Sequence, residues 1–140
     1  MKNNSFTVAV LGAGNIGSAV IERLLNVDSE VVNLNLSKVL VSDLSKDRNL
    51  DSGLLTTDFD EILNDEKIDL VIEVLGGVDP GKDYIKALLE NGKSVITANK
   101  DIIADCGSEL IQTAQENNVC LYFEAAVAAG IPVLLSLIHI

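Results

Sequence analysis

The sequence predicts an α/β fold built on an open, doubly wound parallel sheet, and three observations predict it. Apolar, strand-like runs alternate with segments whose apolar residues recur at helical spacing, from residue 6 to residue 125. Hydrophobic residues make up 48% of the 140-residue chain and aromatic ones only 4%. The core must therefore be Val, Ile, Leu and Ala, which suits a sheet covered on both faces. A glycine-rich turn, GAGNIG, joins the first apolar run to the first helical segment.

Residues 6–12, FTVAVLG, are mostly apolar and read as a buried strand. Ile16, Ala19, Val20, Leu24 and Val27 then recur at helical spacing, which predicts a helix over 15–26. KVLVSD, residues 38–43, reads as a short second strand. TTDFDEILND, residues 56–65, opens on capping residues and sets Phe59, Ile62 and Leu63 on one helical face. IDLVIEVLGG, residues 68–77, is a third strand ending in a glycine turn. GKDYIKALLENG, residues 81–92, is a helix with a glycine stop. KSVITAN (93–99), GSELIQTAQENN (107–118) and VCLYFEA (119–125) read as strand, helix and strand. The alternation calls for right-handed crossovers within one domain, residues 1–134.

The formal net charge of −11 opposes nucleic acid and anionic membrane as general partners. An anionic ligand can still be held locally by backbone amides or a few Lys and Arg. Cys106 and Cys120 form no C-x-x-C pair; free thiols in a reducing compartment are expected, with one disulfide as the alternative. Residues 1–12 carry one basic residue and a short apolar run ending in glycines, unlike a signal peptide. No apolar stretch reaches the roughly 20 residues of a membrane span, and the cytoplasm is the expected location.

The terminal six residues, LSLIHI (135–140), are what CTG-TCT-CTT-ATA-CAC-ATC would encode, a resemblance to a transposon end used in sequencing libraries. They are expected to be a non-native tail, and the single histidine, His139, is given no role.

Gly12, Gly14 and Gly17 form a G-x-G-x-x-G with a strand before it and a helix after it. In that context the pattern predicts a Rossmann-type dinucleotide-binding domain, the alternative being an ordinary strand–helix turn. Gly12 permits the tight turn, Gly14 lets a pyrophosphate approach the backbone, and Gly17 lets the helix pack close to the strand. The helix start at Asn15, Ile16 and Gly17 offers free N–H groups and a positive dipole end. Asp43, at the end of the second strand, follows Gly17 by 26 residues, where about 20 is usual for a ribose-binding acid. Asp43 would favour NAD through the ribose hydroxyls, whereas Lys46 and Arg48 would favour NADP by pairing with a 2′-phosphate. The sequence leaves both open.

Ligands of such sheets sit outside the carboxyl ends of the strands. EVLGG (73–77), TANKD (97–101) and FEAAVAAGIP (123–132) fall there. Gly76 and Gly77 would keep side chains away from a nicotinamide ring. Thr97 and Asn99 offer hydrogen bonds, and Lys100 sets a cation where a carboxylate or a developing oxyanion could sit. The plainer readings are that Thr97 or Asn99 caps a helix, Lys100 is solvated, and Glu73 is a surface carboxylate.

With the glycine loop, the segments IDLVIEVLGG, VITANKD and FEAAVAAGIP, in this order, resemble the N-terminal cofactor domain of homoserine dehydrogenases, over nearly all of residues 6–134. The resemblance implies reduction of aspartate 4-semialdehyde to homoserine with NADH or NADPH, in biosynthesis of threonine, isoleucine and methionine. It also implies a dimer or larger assembly. By it, the stretch Gly12, Ala13, Gly14, Asn15, Ile16 and Gly17 would hold the pyrophosphate. Thr97 and Lys100 would lie beside nicotinamide and substrate, with Lys100 a candidate catalytic or cofactor contact. The segment EAAVAAGI matches a sodium-binding loop of the family, which makes Glu124 and the backbone carbonyls of Val127, Ala129 and Ile131 the candidate ligands. A small-residue hinge is the alternative for that segment.

Two departures stand out. Ser42 occupies the place before the aspartate where many relatives carry a basic residue. The family's substrate domain, which supplies a lysine and an aspartate for proton transfer, is absent from this chain. The expected function is therefore that of an oxidoreductase fragment that binds cofactor and turns over little alone. A stand-alone nucleotide-binding or redox-sensing module is the alternative, and another dehydrogenase of amino-acid metabolism a second.

Overall fold

The first apolar run builds strand β1 (Ser5–Leu11), and the glycine turn leads from it into helix α1 (Asn15–Leu25). A computed structural model describes residues 5–26, 33–46 and 48–123. Over these residues the chain continues through β2 (Asn33–Leu40), a 3₁₀ turn (Ser52–Leu54), β3 (Leu55–Thr56) and α2 (Phe59–Leu63). Then come β4 (Leu70–Glu73), α3 (Gly81–Glu90), β5 (Ser94–Thr97), α4 (Lys100–Glu116) and β6 (Leu121–Phe123). The described strands form one sheet in the order β3-β2-β1-β4-β5-β6, and every pairing is parallel.

Strand periodicity divides the core into two halves. Val8 and Val10 of β1 and Ile72 of β4 pack with Val20, Ile21 and Leu24 of α1. Ala9, Leu11 and Val71 point the other way, against Ile62, Ile85, Leu88, Leu89, Ile102 and Leu110 of α2, α3 and α4. Successive side chains of a strand leave opposite faces, so the stretch of β1 buried on both, Val8 to Leu11, is apolar at every position. Between α3 and α4 the exposed pairs Lys86–Glu109 (2.9 Å) and Lys82–Asp105 (3.6 Å) contribute little stability. Among the described residues no helix is long and apolar enough to cross a membrane.

Several elements differ from what the sequence predicts, among them α2, which is confined to Phe59–Leu63 within the predicted 56–65, and β2, which ends at Leu40 rather than 43. β2 starts at Asn33 rather than 38, and its first half alternates exposed Asn33 and Asn35 with buried Leu34. Only its last two residues gain a second neighbour, the two-residue β3, so the rest behaves as an edge that tolerates polar residues. β3 itself is too short to leave a periodic signal. The β4 strand stops at Glu73, three residues before the glycine pair that ends the predicted run. Helix α4 starts at Lys100, well before the predicted 107, because Asn99 caps it: its side chain accepts from the amides of Asp101 and Ile102. Gly107 marks an internal kink, with non-helical backbone at Cys106, and not a boundary. The predicted last strand is described only as far as Phe123.

Candidate functional site

β1 ends where its two neighbours diverge. The Gly12 amide donates to the Leu40 carbonyl of β2 (2.9 Å), while the Val74 amide, just past β4, donates to the Leu11 carbonyl (3.0 Å). The strand order reverses between β1 and β4, which in an open α/β sheet opens a crevice at the carboxyl ends. A cavity of about 510 Å³ lies there. Three segments line it: Gly12, Ala13 and Gly14; Leu40, Val41, Ser42, Lys46 and Arg48; and Val74, Leu75 and Gly76. Thr57, Pro80 and Tyr84 complete the wall, and the Tyr84 ring is stacked on Phe59 at 3.9 Å.

The glycine turn has the shape of an anion cradle. Gly12 has φ +106°, a left-handed conformation, and a Cβ there would lie 3.0 Å from the Val74 carbonyl oxygen. A Cβ on Gly17 would run into the Gly12 carbonyl oxygen. Gly14 faces open space, with nothing within 4 Å of where its Cβ would be. Gly14 is also the N-cap of α1, which has no side-chain cap and no acidic residue in its first turn. Asn15 and Ile16 follow it in that turn and are exposed. The first helical amides are thus left without intrahelical partners at the positive end of the helix dipole. The Ser18 hydroxyl donates to the Ala13 carbonyl (3.0 Å) and braces the turn.

After β2 the chain turns around Asp43. Its carboxylate accepts from the Ser45 amide (2.8 Å) and hydroxyl (2.7 Å). The Ser45 hydroxyl, first of all, holds Asp43 below its ordinary carboxylate value. Arg48 donates to the carbonyls of Asp43 (2.7 Å) and Lys46 (3.2 Å), which anchors the guanidinium on the cavity wall. Lys46 and Arg48 thus reach the cavity, whereas Asp43 is exposed on the same turn and is not among the lining residues.

The carboxyl ends of β4 and β5 hold a network that the sequence reading missed. Glu73 is not a surface carboxylate: it is 0% exposed. Its Oε1 accepts from the Thr97 hydroxyl at 2.5 Å and its Oε2 from the Leu75 amide at 2.8 Å. Burial, the largest influence, pushes its carboxyl above the ordinary value, against the pull of these hydrogen bonds. Thr97 is also 0% exposed, and its oxygen accepts from the Asn99 amide (3.0 Å). The Asn99 side chain donates to the Gly77 carbonyl. The one available signal was a charged residue in the middle of an apolar run.

Gly76 lines the cavity, Thr97 is buried against Glu73, and Lys100 is exposed at the first position of α4, directly after the Asn99 cap. Neither Thr97 nor Lys100 is among the lining residues. Glu124, Val127, Ala129 and Ile131, the candidate sodium ligands, lie outside the described residues, as does the stretch 135–140. Among the described residues no group of three or more His, Cys, Asp or Glu could hold a metal ion.

A parallel sheet in this order, with a glycine turn and an uncapped helix start at the point of reversal, defines a dinucleotide-binding domain of Rossmann type. Residues 12–124 match the family described as homoserine dehydrogenase, NAD binding domain. The chain belongs to that family. It is 42% identical over 137 residues to the homoserine dehydrogenase of Bacillus subtilis, covering 93% of this chain and 32% of that protein. It is 43% identical over 132 residues to that of Mycobacterium tuberculosis, covering 91% and 30%. A crystal structure of S. aureus homoserine dehydrogenase matches with a TM-score of 0.82 at 37% identity, over 89% of this chain and 33% of that one. The chain spans about a third of the length of the relatives it matches.

Proposed function

We propose that this chain is the cofactor-binding part of a homoserine dehydrogenase, holding NAD(P) for hydride exchange with aspartate 4-semialdehyde and homoserine. The observation that carries the reading is the cavity where the glycine turn, the uncapped start of α1 and the turn after β4 converge. The residues fit a dinucleotide. The space in front of Gly14 admits a pyrophosphate, and the amides of residues 15–17 with the α1 dipole neutralise it. Lys46 and Arg48 on the wall, with the Asp43 carboxylate tied to Ser45, favour a 2′-phosphate and hence NADP.

The bound nicotinamide supplies the hydride. Gly76 leaves room for its ring. Lys100 has the role of a cation beside the substrate, drawing in its carboxylate or stabilising charge that develops on the carbonyl oxygen. Proton transfer to that oxygen belongs, by resemblance, to the substrate domain of the family. The same resemblance supports a sodium ion on Glu124 and the carbonyls of Val127, Ala129 and Ile131, a set of hard oxygen donors. It also supports a homo-oligomeric full-length protein located in the cytoplasm.

Titration of the purified chain with NADH and NADPH, followed by nicotinamide fluorescence, tests the reading. Saturable binding with NADPH the tighter is expected. No saturable binding of either dinucleotide at millimolar concentration would overturn it.

A further inference from the structure

Glu73 ends β4 without lining the cavity, and the binding reading gives it no task. A fully buried carboxylate is costly unless its oxygens are well used. Here both are used, and each on a different segment. Oε2 holds the Leu75 amide in the turn that leads to Gly76 and Gly77. Oε1 holds the Thr97 hydroxyl at the end of β5. That hydroxyl oxygen accepts from the Asn99 amide, and Asn99 both bonds the Gly77 carbonyl and caps α4, whose first residue is Lys100. From above, Gly81 at the start of α3 packs so close that a Cβ there would lie 3.3 Å from Oε2. Every other residue of β4 is an apolar core residue, so burial alone does not call for a carboxylate at this position.

We propose that Glu73 is a positioning residue for the nicotinamide half of bound NAD(P): through Thr97 and Asn99 it sets the turn at Gly76 and Gly77 in register with Lys100. The inference rests on the dinucleotide reading of the cavity. The adenosine half would be held by the glycine turn and the loop after β2, to which none of the network's hydrogen bonds runs. Glu73 therefore acts on one half of the cofactor only.

A comparison of a whole dinucleotide with its adenosine half tests this. Wild type, E73Q, T97V and T97S are titrated with NADH and NADPH, and with ADP and adenosine 2′,5′-bisphosphate. Gln has one acceptor oxygen where Glu73 uses two, and Val removes the hydroxyl that Ser retains. We expect E73Q and T97V to weaken the preferred dinucleotide about tenfold while the matching adenosine fragment changes by less than about twofold. T97S keeps both near wild type. Equal losses on dinucleotide and fragment, a T97S as impaired as T97V, or unchanged dinucleotide binding in E73Q and T97V would each overturn the proposal. If E73Q fails to fold, the T97V and T97S pair decides. Wild type that binds neither NADH nor NADPH would overturn the cavity reading and this proposal with it. Wild type that binds, with insensitive variants, overturns this proposal alone.

Discussion

Gly17 lies against the backbone of Gly12 with no room between them for a Cβ carbon. That contact seats the first turn of α1 on the end of β1 and leaves Gly14 facing the cavity. The two glycines therefore separate fold from binding. Alanine at position 17 gains up to about 1 kcal/mol of helix propensity. It loses more by overlap with a backbone carbonyl that cannot rotate away, so Gly17→Ala should cost about 1–3 kcal/mol net, read by chemical denaturation. Gly14 has φ −74° and empty space around its Cβ direction, so Gly14→Ala should stay within about 0.5 kcal/mol of wild type. Its methyl would stand where the pyrophosphate approaches, and dinucleotide affinity should fall at least about tenfold. A Gly14→Ala chain that binds like wild type would refute the placement of the pyrophosphate.

Arg48 is held on the cavity wall by the carbonyls of Asp43 and Lys46. A charge-assisted bond to a 2′-phosphate is absent with NADH. Arg48→Met should weaken NADPH about tenfold or more and leave NADH nearly unchanged, with the gap narrowing at high salt. Equal effects on both dinucleotides would remove the argument for NADP.

Lys100 is exposed at the start of α4, and its truncation should not disturb the fold. In a protein that carries this domain together with a substrate region, Lys100→Ala should lower kcat/KM for aspartate 4-semialdehyde about 100-fold, with the melting temperature unchanged. Steady-state kinetics decide; an unaltered kcat/KM leaves Lys100 as a solvated surface cation.

Burial raises the Glu73 carboxyl above its ordinary 4.5. The folded chain therefore keeps a proton at pH values where the unfolded chain has released it. Stability from this group is complete below 4.5 and is lost as pH rises through the folded value. The amide of the Glu73→Gln variant does not titrate. Melting curves of wild type and E73Q across about pH 4–8 should diverge in favour of the variant as pH rises. Parallel curves would mean that Glu73 ionises in the fold as it does in water.

The local pattern carried most of the architecture. β1 and α1 were legible because the stretch Val8–Leu11, buried on both faces, is apolar throughout, and because Ile16, Val20 and Leu24 recur at helical spacing. The glycine turn was legible because Gly12 and Gly17 answer to backbone requirements at a fixed spacing. The first half of β2 was not, since a strand with a free edge needs no continuous apolar run. The start of α4 was not either, because Gly107 breaks the helical pattern within a helix already capped at Asn99.

By itself the sequence determined the longer strands and helices, their order, and that a glycine-rich turn follows the first strand, because these depend on neighbours a few residues apart. Which residues share the site was decided only by the tertiary structure. Glu73 and Thr97 are 24 residues apart and meet because β4 and β5 pair in parallel register, Glu73 beside Thr97. The closure of α3 over that pair removes water from the carboxylate. No local pattern records either event, because burial is a property of what packs around a residue and not of the residue's neighbours in the chain.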